Sequence, residues 1–312
     1  MKRLTLLIMS FAYCAFTIAA ELPPEWAYAQ NPPNTSVVSA DNTIRHVPDS
    51  NISYSFAQVK DLFFTPDWHP QDHTALPEVV AHGRKPDVFA CGFCHRADGP
   101  GGPENASLAG LPKDYIVQQM ADFKSGKRKS AVPDRAPVTN MQRVASVINH
   151  SDVEAAAKYF SSLKPRKNIH VIETTLAPKT FERGWHLAKL ENGETEPVGN
   201  RIVEVPETLA NFISRDSHAI FVAYVPKGSI EKGKTISRRS DKSISCTECH
   251  GEYLRGKNAI PSLAGRSPSY IVRQLFDFKT GNRKSENMQA IAETLTTEDM
   301  IALAAYSASL AP

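Results

Sequence analysis

The chain has 312 residues, of which 41% are hydrophobic and 22% are charged, and its formal net charge is +3. This composition is typical of a folded globular protein and excludes collagen-like, coiled-coil and intrinsically disordered classes. The nearly balanced charge gives no electrostatic reason to expect nucleic acid as a partner. At roughly 100–200 residues per domain, the length predicts two or three folded units.

The first 20 residues are predicted to be an export signal and not part of the fold. Lys2 and Arg3 supply positive charge, and an apolar run of 17 residues follows over 4–20. That run is shorter than the roughly 20 residues that span a bilayer, and the small residues Ala19 and Ala20 offer a cleavage site. We therefore expect a periplasmic mature chain without a transmembrane span; an uncleaved membrane anchor is the alternative.

Residues 21–77 are rich in proline and aromatic residues, among them Trp26 and Trp68, and show little helical periodicity. We predict an extended N-terminal arm that packs on a neighbouring domain, with disorder as the alternative. Two histidines and two aspartates in the arm mimic the spacing of metal ligands: Asp67, His69, Asp72 and His73. Prolines at 66 and 70 interrupt the helix that would align them, so an ordinary loop is favoured over a metal site.

Four cysteines outside the signal form two Cys-x-x-Cys-His motifs, CGFCH from position 91 and CTECH from position 246. A structural disulfide framework would not need the histidine. A thioredoxin-like redox pair belongs near a βαβ pattern, which the sequence lacks. A four-cysteine zinc site usually has its pairs about 15–20 residues apart, whereas these begin 155 residues apart.

Covalent haem attachment explains every residue of the motif. Two thiols three residues apart on a helical turn project to the same side, where they can bond the two vinyl groups of one porphyrin. The adjacent histidine then lies beneath the iron as its proximal ligand. Two such motifs behind an export signal predict two covalently bound haem c groups. The residues predicted to hold them are Cys91, Cys94 and His95 in the first motif and Cys246, Cys249 and His250 in the second.

The two motifs belong to an internal repeat. Residues 107–130 and 262–285 are identical at fifteen of 24 positions, at the same offset of 155 residues as the cysteine pairs. After Ser130 the first copy carries eight extra residues, and the offset becomes 147. The chain therefore contains two copies of one domain.

Each copy is predicted to be mostly helical. Apolar residues at Ile116, Met120 and Phe123 follow helical spacing, and the second copy repeats them. A terminal helix is predicted over about 151–163, opened by a capping box at Ser151, and its partner over about 296–310. The sequence between these helices, which holds one methionine per copy, is predicted to be a loop or short turn.

This order of elements resembles the two-domain di-haem class I cytochromes c. The resemblance covers about residues 78–165, the first predicted cytochrome domain, and 229–312, the second. It implies a helical fold around haem c, histidine and methionine as axial ligands, and electron transfer in the periplasm. It also implies that a backbone carbonyl holds each proximal histidine, at Pro261 in the second copy and at Ala106 in the first.

Alignment of the copies selects the methionine ligands. Met141 faces Met288, whereas Met120 and Met300 face Leu275 and Val153 at helical apolar positions that are better explained as core. The nearby alternatives His82 and His150 face serine and threonine. We therefore predict His95/Met141 and His250/Met288 as axial pairs, with simple packing of both methionines as the alternative.

Basic residues end equivalent helices of the two copies: Lys124, Lys127, Arg128 and Lys129 in the first, and Lys279, Arg283 and Lys284 in the second. Two interpretations remain open. The cations can complement the helix C-terminus, or they can neutralise haem propionates or dock an acidic partner. Tyr115 and Tyr270 are expected to be packing residues rather than redox residues.

The predicted fold is mainly α: two class I cytochrome c domains, the N-terminal arm, and a partly β insert over 166–228, where 201–205 and 219–225 favour short strands. The predicted function is transfer of single electrons between periplasmic or membrane redox partners, as a free carrier or as the cytochrome subunit of a dehydrogenase or oxidase complex. The chain is not expected to be an enzyme. The alternatives are a di-haem peroxidase, which needs an open iron position, and a zinc-stabilised interaction module.

Overall fold

A computed structural model describes residues 21–31, 41–239 and 245–312. The expected export signal lies outside the described residues. Among the helices that are described, none combines the length and apolar character needed to cross a bilayer. The described chain is mainly α-helical, as expected, and its strands are concentrated between the two repeated copies.

The N-terminal arm is packed against the rest of the molecule where it is described. Its elements are two short 3-10 turns, Glu25–Tyr28 and Pro70–Asp72, the antiparallel pair β1 (Ile44–Arg45) and β2 (Tyr54–Ser55), and α1 (Phe56–Lys60). The Tyr28 hydroxyl donates a hydrogen bond to Asp277 in the second copy at 3.0 Å. The buried indole of Trp68 donates to the carbonyl of Ser214 in the insert at 2.8 Å.

The first copy consists of five helices around its own apolar core. They are α2 (Glu78–Ala81), α3 (Cys91–His95), α4 (Lys113–Lys124), α5 (Ala136–Val147) and α6 (His150–Ser162). The capping box predicted at Ser151 is wrong. Asn149 stands at the N-cap of α6 and its Oδ1 accepts the Asp152 N–H at 2.8 Å, so the helix begins before Ser151.

The insert contains the short strands that its sequence predicts. They are β3 (Ile169–Glu173), β4 (Leu176–Pro178), β5 (Thr180–Arg183), β6 (His186–Lys189), β7 (Thr195–Pro197), β8 (Val203–Pro206) and β9 (Phe221–Val225), with α7 (Leu209–Ile213) before β9. Strand β9 is central in a three-stranded sheet, parallel to β3 and antiparallel to β8. The pairs β4–β7 and β5–β6 are antiparallel.

The second copy shares its core with the insert, so the insert is a packed unit. Its helices are α8 (Ser229–Ser237), α9 (Cys246–His250), α10 (Pro268–Lys279), α11 (Glu286–Glu293) and α12 (Thr297–Ser309). Helices α8 and α12 approach closely because Gly233 has no Cβ to overlap the Ala302 carbonyl. Met300 is fully buried in this core, as its helical apolar position predicts.

Candidate cofactor site

The two Cys-x-x-Cys-His motifs form two equivalent five-residue helices, α3 and α9. No disulfide joins any of these four cysteines. Each helix stops directly after its histidine, because the next residue has a positive φ: 69° at Arg96 and 83° at Gly251. The chain therefore turns away at the histidine and leaves both thiols and the imidazole on one short helix.

A backbone carbonyl holds each histidine. Nδ1 of His95 lies 2.8 Å from the Ala106 oxygen, and Nδ1 of His250 lies 2.8 Å from the Pro261 oxygen. A carbonyl can only accept, so Nδ1 carries the proton and Nε2 is left as a free donor to a metal. Burial lowers the pKa of both imidazoles, which keeps them in the neutral form that binds iron.

Both aligned methionines lie on helices, so the predicted loops are wrong. Met141 is in the middle of α5 and Met288 is near the start of α11. Local sequence explains both helices. A proline at 137 suits the first turn of α5, and the Ser285 hydroxyl caps α11 by accepting the Met288 N–H. Each methionine is half-buried.

One cavity of about 1770 Å³ extends through both copies. Its lining includes both histidines, both methionines and all four cysteines. It also includes Met120 and its counterpart Leu275, whereas the other core methionine, Met300, is buried in the helical core. Ligand pockets usually measure about 300–1,000 Å³, so this cavity suits more than one large ligand. Its size, its apolar lining and two sets of thiol, imidazole and thioether groups fit two haem c groups.

The repeated arginines join the two copies. Arg128 donates to Tyr270 at 2.7 Å and to Gln274 at 3.0 Å, both in the second copy. The equivalent Arg283 donates to Tyr115 and Gln119 of the first copy, at 2.8 Å each. Backbone pairing of Arg128 with Arg283 lies between these bonds. The contact is pseudo-symmetric, with each copy supplying the same residues.

These arginines serve neither as simple surface cations at a helix end nor as a docking patch, because both are buried in the contact. The tyrosines pack there and also accept hydrogen bonds. Burial by itself would raise the pKa of Tyr115, but the Arg283 and Arg128 guanidinium groups outweigh it and lower that pKa. Sequence reasoning missed Gln119 and Gln274. The available signal was that both are glutamine and lie 155 residues apart, the offset of the repeat. A pseudo-symmetric contact uses the same residue once from each copy.

The four metal-like residues of the arm are divided between two groups of contacts: Asp67 bonds to His73, whereas His69 and Asp72 both contact His218 of the insert. Nε2 of His73 lies 3.2 Å from Asp67. Nε2 of His69 lies 3.0 Å from Asp216 of the insert, and its ring stacks on His218 at 3.5 Å. Asp72 is paired with Arg166 at 2.6 Å, so a guanidinium supplies its counter-charge.

Comparison with known proteins gives a consistent set of relatives. Residues 230–306 match the family model described as cytochrome C oxidase, cbb3-type, subunit III. The chain is 27% identical over 243 residues to cytochrome c4 of Azotobacter vinelandii, covering 75% of this chain and 89% of the relative. It is 40% identical over 79 residues to the cytochrome subunit of sulfide dehydrogenase of Chlorobaculum tepidum, covering 25% of this chain and 72% of the relative. It is 26% identical over 230 residues to the thiosulfate dehydrogenase electron acceptor of Thiomonas intermedia, covering 72% of this chain and 80% of the relative.

Proposed function

The chain belongs to the di-haem class I cytochromes c, and we propose that it passes single electrons between redox proteins in the periplasm or at the membrane. Its relatives are electron-transfer cytochromes, so the chain is an electron carrier and not itself an enzyme. Relatives named as the electron acceptor of thiosulfate dehydrogenase and the cytochrome subunit of sulfide dehydrogenase favour a role beside a dehydrogenase.

The observation that carries this proposal is the repetition of one donor set on both sides of a shared cavity. In each copy the two thiols would tether a haem, and the carbonyl-fixed histidine would supply a nitrogen ligand to its iron. Met141 and Met288 are the sixth ligands in this proposal. A bound haem supplies a reversible one-electron Fe(II)/Fe(III) couple, and methionine ligation favours the ferrous state. A thioether ligand from each methionine would also keep small oxidants from the metal, which suits a carrier better than a peroxidase.

The exported, haem-loaded protein provides a direct test of these assignments. A pyridine haemochrome assay should give two haems c per chain, retained after denaturation because the thioether bonds are covalent. Replacing both cysteines of one motif by serine should leave one haem c per chain. Steady turnover of hydrogen peroxide by the isolated protein would favour the peroxidase alternative.

Other parts of the chain cover α3, the helix that carries the first Cys-x-x-Cys-His motif. Gly92 and Phe93, the residues between its cysteines, are buried. A Cβ at position 92 would lie 2.6 Å from Cγ2 of Thr65 in the arm, so only glycine fits beneath it. The Arg215 guanidinium of the insert lies 3.4 Å from the centre of the Phe93 ring. The arm and the insert together therefore shield the thioether side of the first copy.

By comparison α9, the helix that carries the second Cys-x-x-Cys-His motif, is more exposed to solvent. Thr247 is half-buried and Glu248 is exposed between its cysteines. Two large apolar side chains lie exposed in the segment that follows, Tyr253 at 53% and Ile260 at 38%. Exposed apolar side chains beside a redox centre are suited to contact with a partner protein. We propose that external redox partners dock at the second copy, and that the first haem exchanges electrons through the second.

A further inference from the structure

A buried carboxyl group lies where the insert meets the second copy. Glu204 of β8 is 2% exposed, and its side chain reaches the N-terminal end of α10. Its Oε2 accepts hydrogen bonds from the Ser267 hydroxyl at 2.8 Å, from the Ser269 N–H at 3.0 Å and from the Ser269 hydroxyl. Its Oε1 is buried and has no hydrogen-bond partner within the described residues. One oxygen of the carboxyl group is therefore held by three donors, while the other is free to carry a proton.

The serines that hold Glu204 belong to the second copy alone. The first copy has Pro112 and Asp114 at the positions of Ser267 and Ser269. Glu204 itself belongs to the insert, which lies outside the repeat. The sequence therefore forms this site once and not in both copies.

A small cavity of about 10 Å³ lies beside Glu204. Its wall includes Ser107 of the first copy, Asn168 of the insert and Arg266 of the second copy. A volume of about 10–15 Å³ accommodates one water molecule. Since buried polar atoms are usually satisfied by protein or by water, the cavity can give Oε1 a water as its hydrogen-bond partner and proton donor.

The arginines near Glu204 are bonded elsewhere. Arg266 and Arg273 both donate to backbone carbonyls. Burial raises the pKa of Glu204, although the hydrogen bonds from the two serines and the charge of Arg273 oppose it. The carboxyl group therefore loses its proton at a higher pH than an exposed glutamate does.

The other titratable groups near Glu204 leave it unbonded. Among the described residues that line the small cavity, Tyr270 is the one titratable group besides Glu204 and Arg266. Of the strands that pack against β8, β9 carries Tyr224, and β6 carries His186 and Lys189. None of these four side chains bonds to Glu204 within the described residues. Burial, the serine donors and the adjacent arginines therefore govern its ionisation.

Arg266 connects this site to the segments that hold both predicted proximal histidines. Its Nη1 donates to the Ser107 carbonyl at 2.7 Å, and its Nε donates to the Ser262 carbonyl at 2.5 Å. These two serines are equivalent in the repeat, and each directly follows the residue whose carbonyl holds a histidine. Ser107, Arg266 and Tyr270 also line the large cavity. A single layer of side chains therefore separates Glu204 from the space that fits the haems.

We propose that Glu204 binds a proton when the two haems are reduced, so that the chain couples proton uptake to electron transfer, an inference that rests on the proposed function. Each electron delivered by a redox partner adds negative charge across that layer of side chains, which favours the neutral acid over the carboxylate. The proton comes from the solvent, forms an O–H bond at Oε1, and returns to the solvent when the electrons leave. At a separation of about 12 Å and an effective dielectric constant of about 20, one unit charge changes the ionisation equilibrium about tenfold.

The ferrous-to-ferric ratio of the haem-loaded protein, measured at fixed applied potential over a range of pH, tests the proposal. In the unmodified protein the ratio should fall about tenfold, or 59 mV, as the pH rises through the raised pKa of Glu204, because the carboxylate opposes reduction. Glu204→Gln should lack this fall. Ser269→Ala removes one donor to the carboxylate and should move the fall to higher pH. Glu207→Gln, an exposed control in the insert, should behave as the unmodified protein does.

Three results would overturn the proposal: coinciding curves for Glu204→Gln and the unmodified protein, a difference between them that is the same at every pH, or an unmoved fall in Ser269→Ala. Proton uptake is measured in parallel with a pH indicator while hexaammineruthenium(II), which donates one electron and no proton, reduces the haems. Uptake should be smaller in Glu204→Gln than in Glu207→Gln, and equal uptake would also count against the site. Haem content is measured for every variant. Two haems with a pH response that Glu204→Gln leaves unchanged defeat only this inference, whereas fewer than two haems in the unmodified protein defeat the proposed function.

Discussion

Removing one guanidinium from the contact between the copies tests whether the repeated arginines hold the two halves together. Arg128 is 8% exposed and donates to Tyr270, Gln274 and Gln119 over 2.7, 3.0 and 2.9 Å. A hydrogen bond to a charged group contributes about 1.5–3 kcal/mol, and losses within one network do not add. Since Arg128→Met keeps most of the aliphatic stem, we expect the free energy of unfolding to fall by about 3 kcal/mol.

A double-mutant cycle isolates the bond to the phenol. Tyr270→Phe should lower the free energy of unfolding by about 1.5 kcal/mol in the unmodified protein and by about 0.5 kcal/mol or less beside Arg128→Met. The coupling is then about 1 kcal/mol. It is measured by urea unfolding of the haem-loaded protein, followed by circular dichroism and haem absorbance and evaluated where both probes give one transition.

The pseudo-symmetry of the contact provides the control. The equivalent cycle of Arg283→Met and Tyr115→Phe should give the same coupling to within about 0.5 kcal/mol. Lys284→Met, beside Arg283 but exposed, should change the free energy of unfolding by less than about 0.5 kcal/mol. Zero coupling in both cycles would refute the role assigned to the arginines, and coupling in only one would refute the symmetry.

Three further variants test the ligands, the docking face and the arm. Met141→Ala and Met288→Ala should each remove one haem's share of the near-infrared methionine–iron band and lower that haem's potential; a full band in either variant would exclude that methionine. Ile260→Glu should slow electron transfer from a co-purified partner about tenfold, whereas Ile172→Glu on the insert, 43% exposed, should not; equal slowing would contradict docking at the second copy. The hydrogen bond to Asp67 raises the pKa of His73 above 6.5. The contribution of this ion pair to the free energy of unfolding is therefore complete below pH 6.5, and it is lost as the pH rises through the raised pKa of His73. His73→Asn should remove this pH dependence, and the exposed His46→Asn should keep it. An unchanged pH dependence in His73→Asn would contradict the ion pair.

The helices and strands were predictable where the residues of a single segment determine its secondary structure. The periodic apolar residues of α4 form a helix and the apolar stretch of β9 forms a strand, as their patterns indicate. Errors arose where neighbouring residues compete as caps: Asn149 caps α6 by accepting the Asp152 N–H, so Ser151 lies inside the helix. The methionine segments were misjudged for a different reason, because their helix starts were overlooked: a proline stands in the first turn of α5, and Ser285 caps the helix that contains Met288.

Contacts distant in sequence were beyond single-sequence reasoning. Nothing in the order of residues states that Arg128 and Tyr270, 142 positions apart, form a hydrogen bond. The repeat did mark both as positions where the two copies carry the same residue. The pseudo-symmetric contact explains this identity, because each copy supplies one arginine and one tyrosine to it. The buried charges of the first copy left a weaker signal: Arg96 and Glu104 lie in a segment that differs between the copies, and Arg135 lies in the extra residues.

A potentiometric titration of the purified, haem-loaded protein, with visible and near-infrared absorbance recorded together, tests the central claim most directly. The account predicts two one-electron transitions of equal absorbance amplitude, a methionine–iron band that develops as both haems are oxidised, and no steady peroxide turnover in a parallel assay. A single transition belonging to one haem, or a protein that holds two haems but consumes peroxide catalytically without a partner, would contradict it.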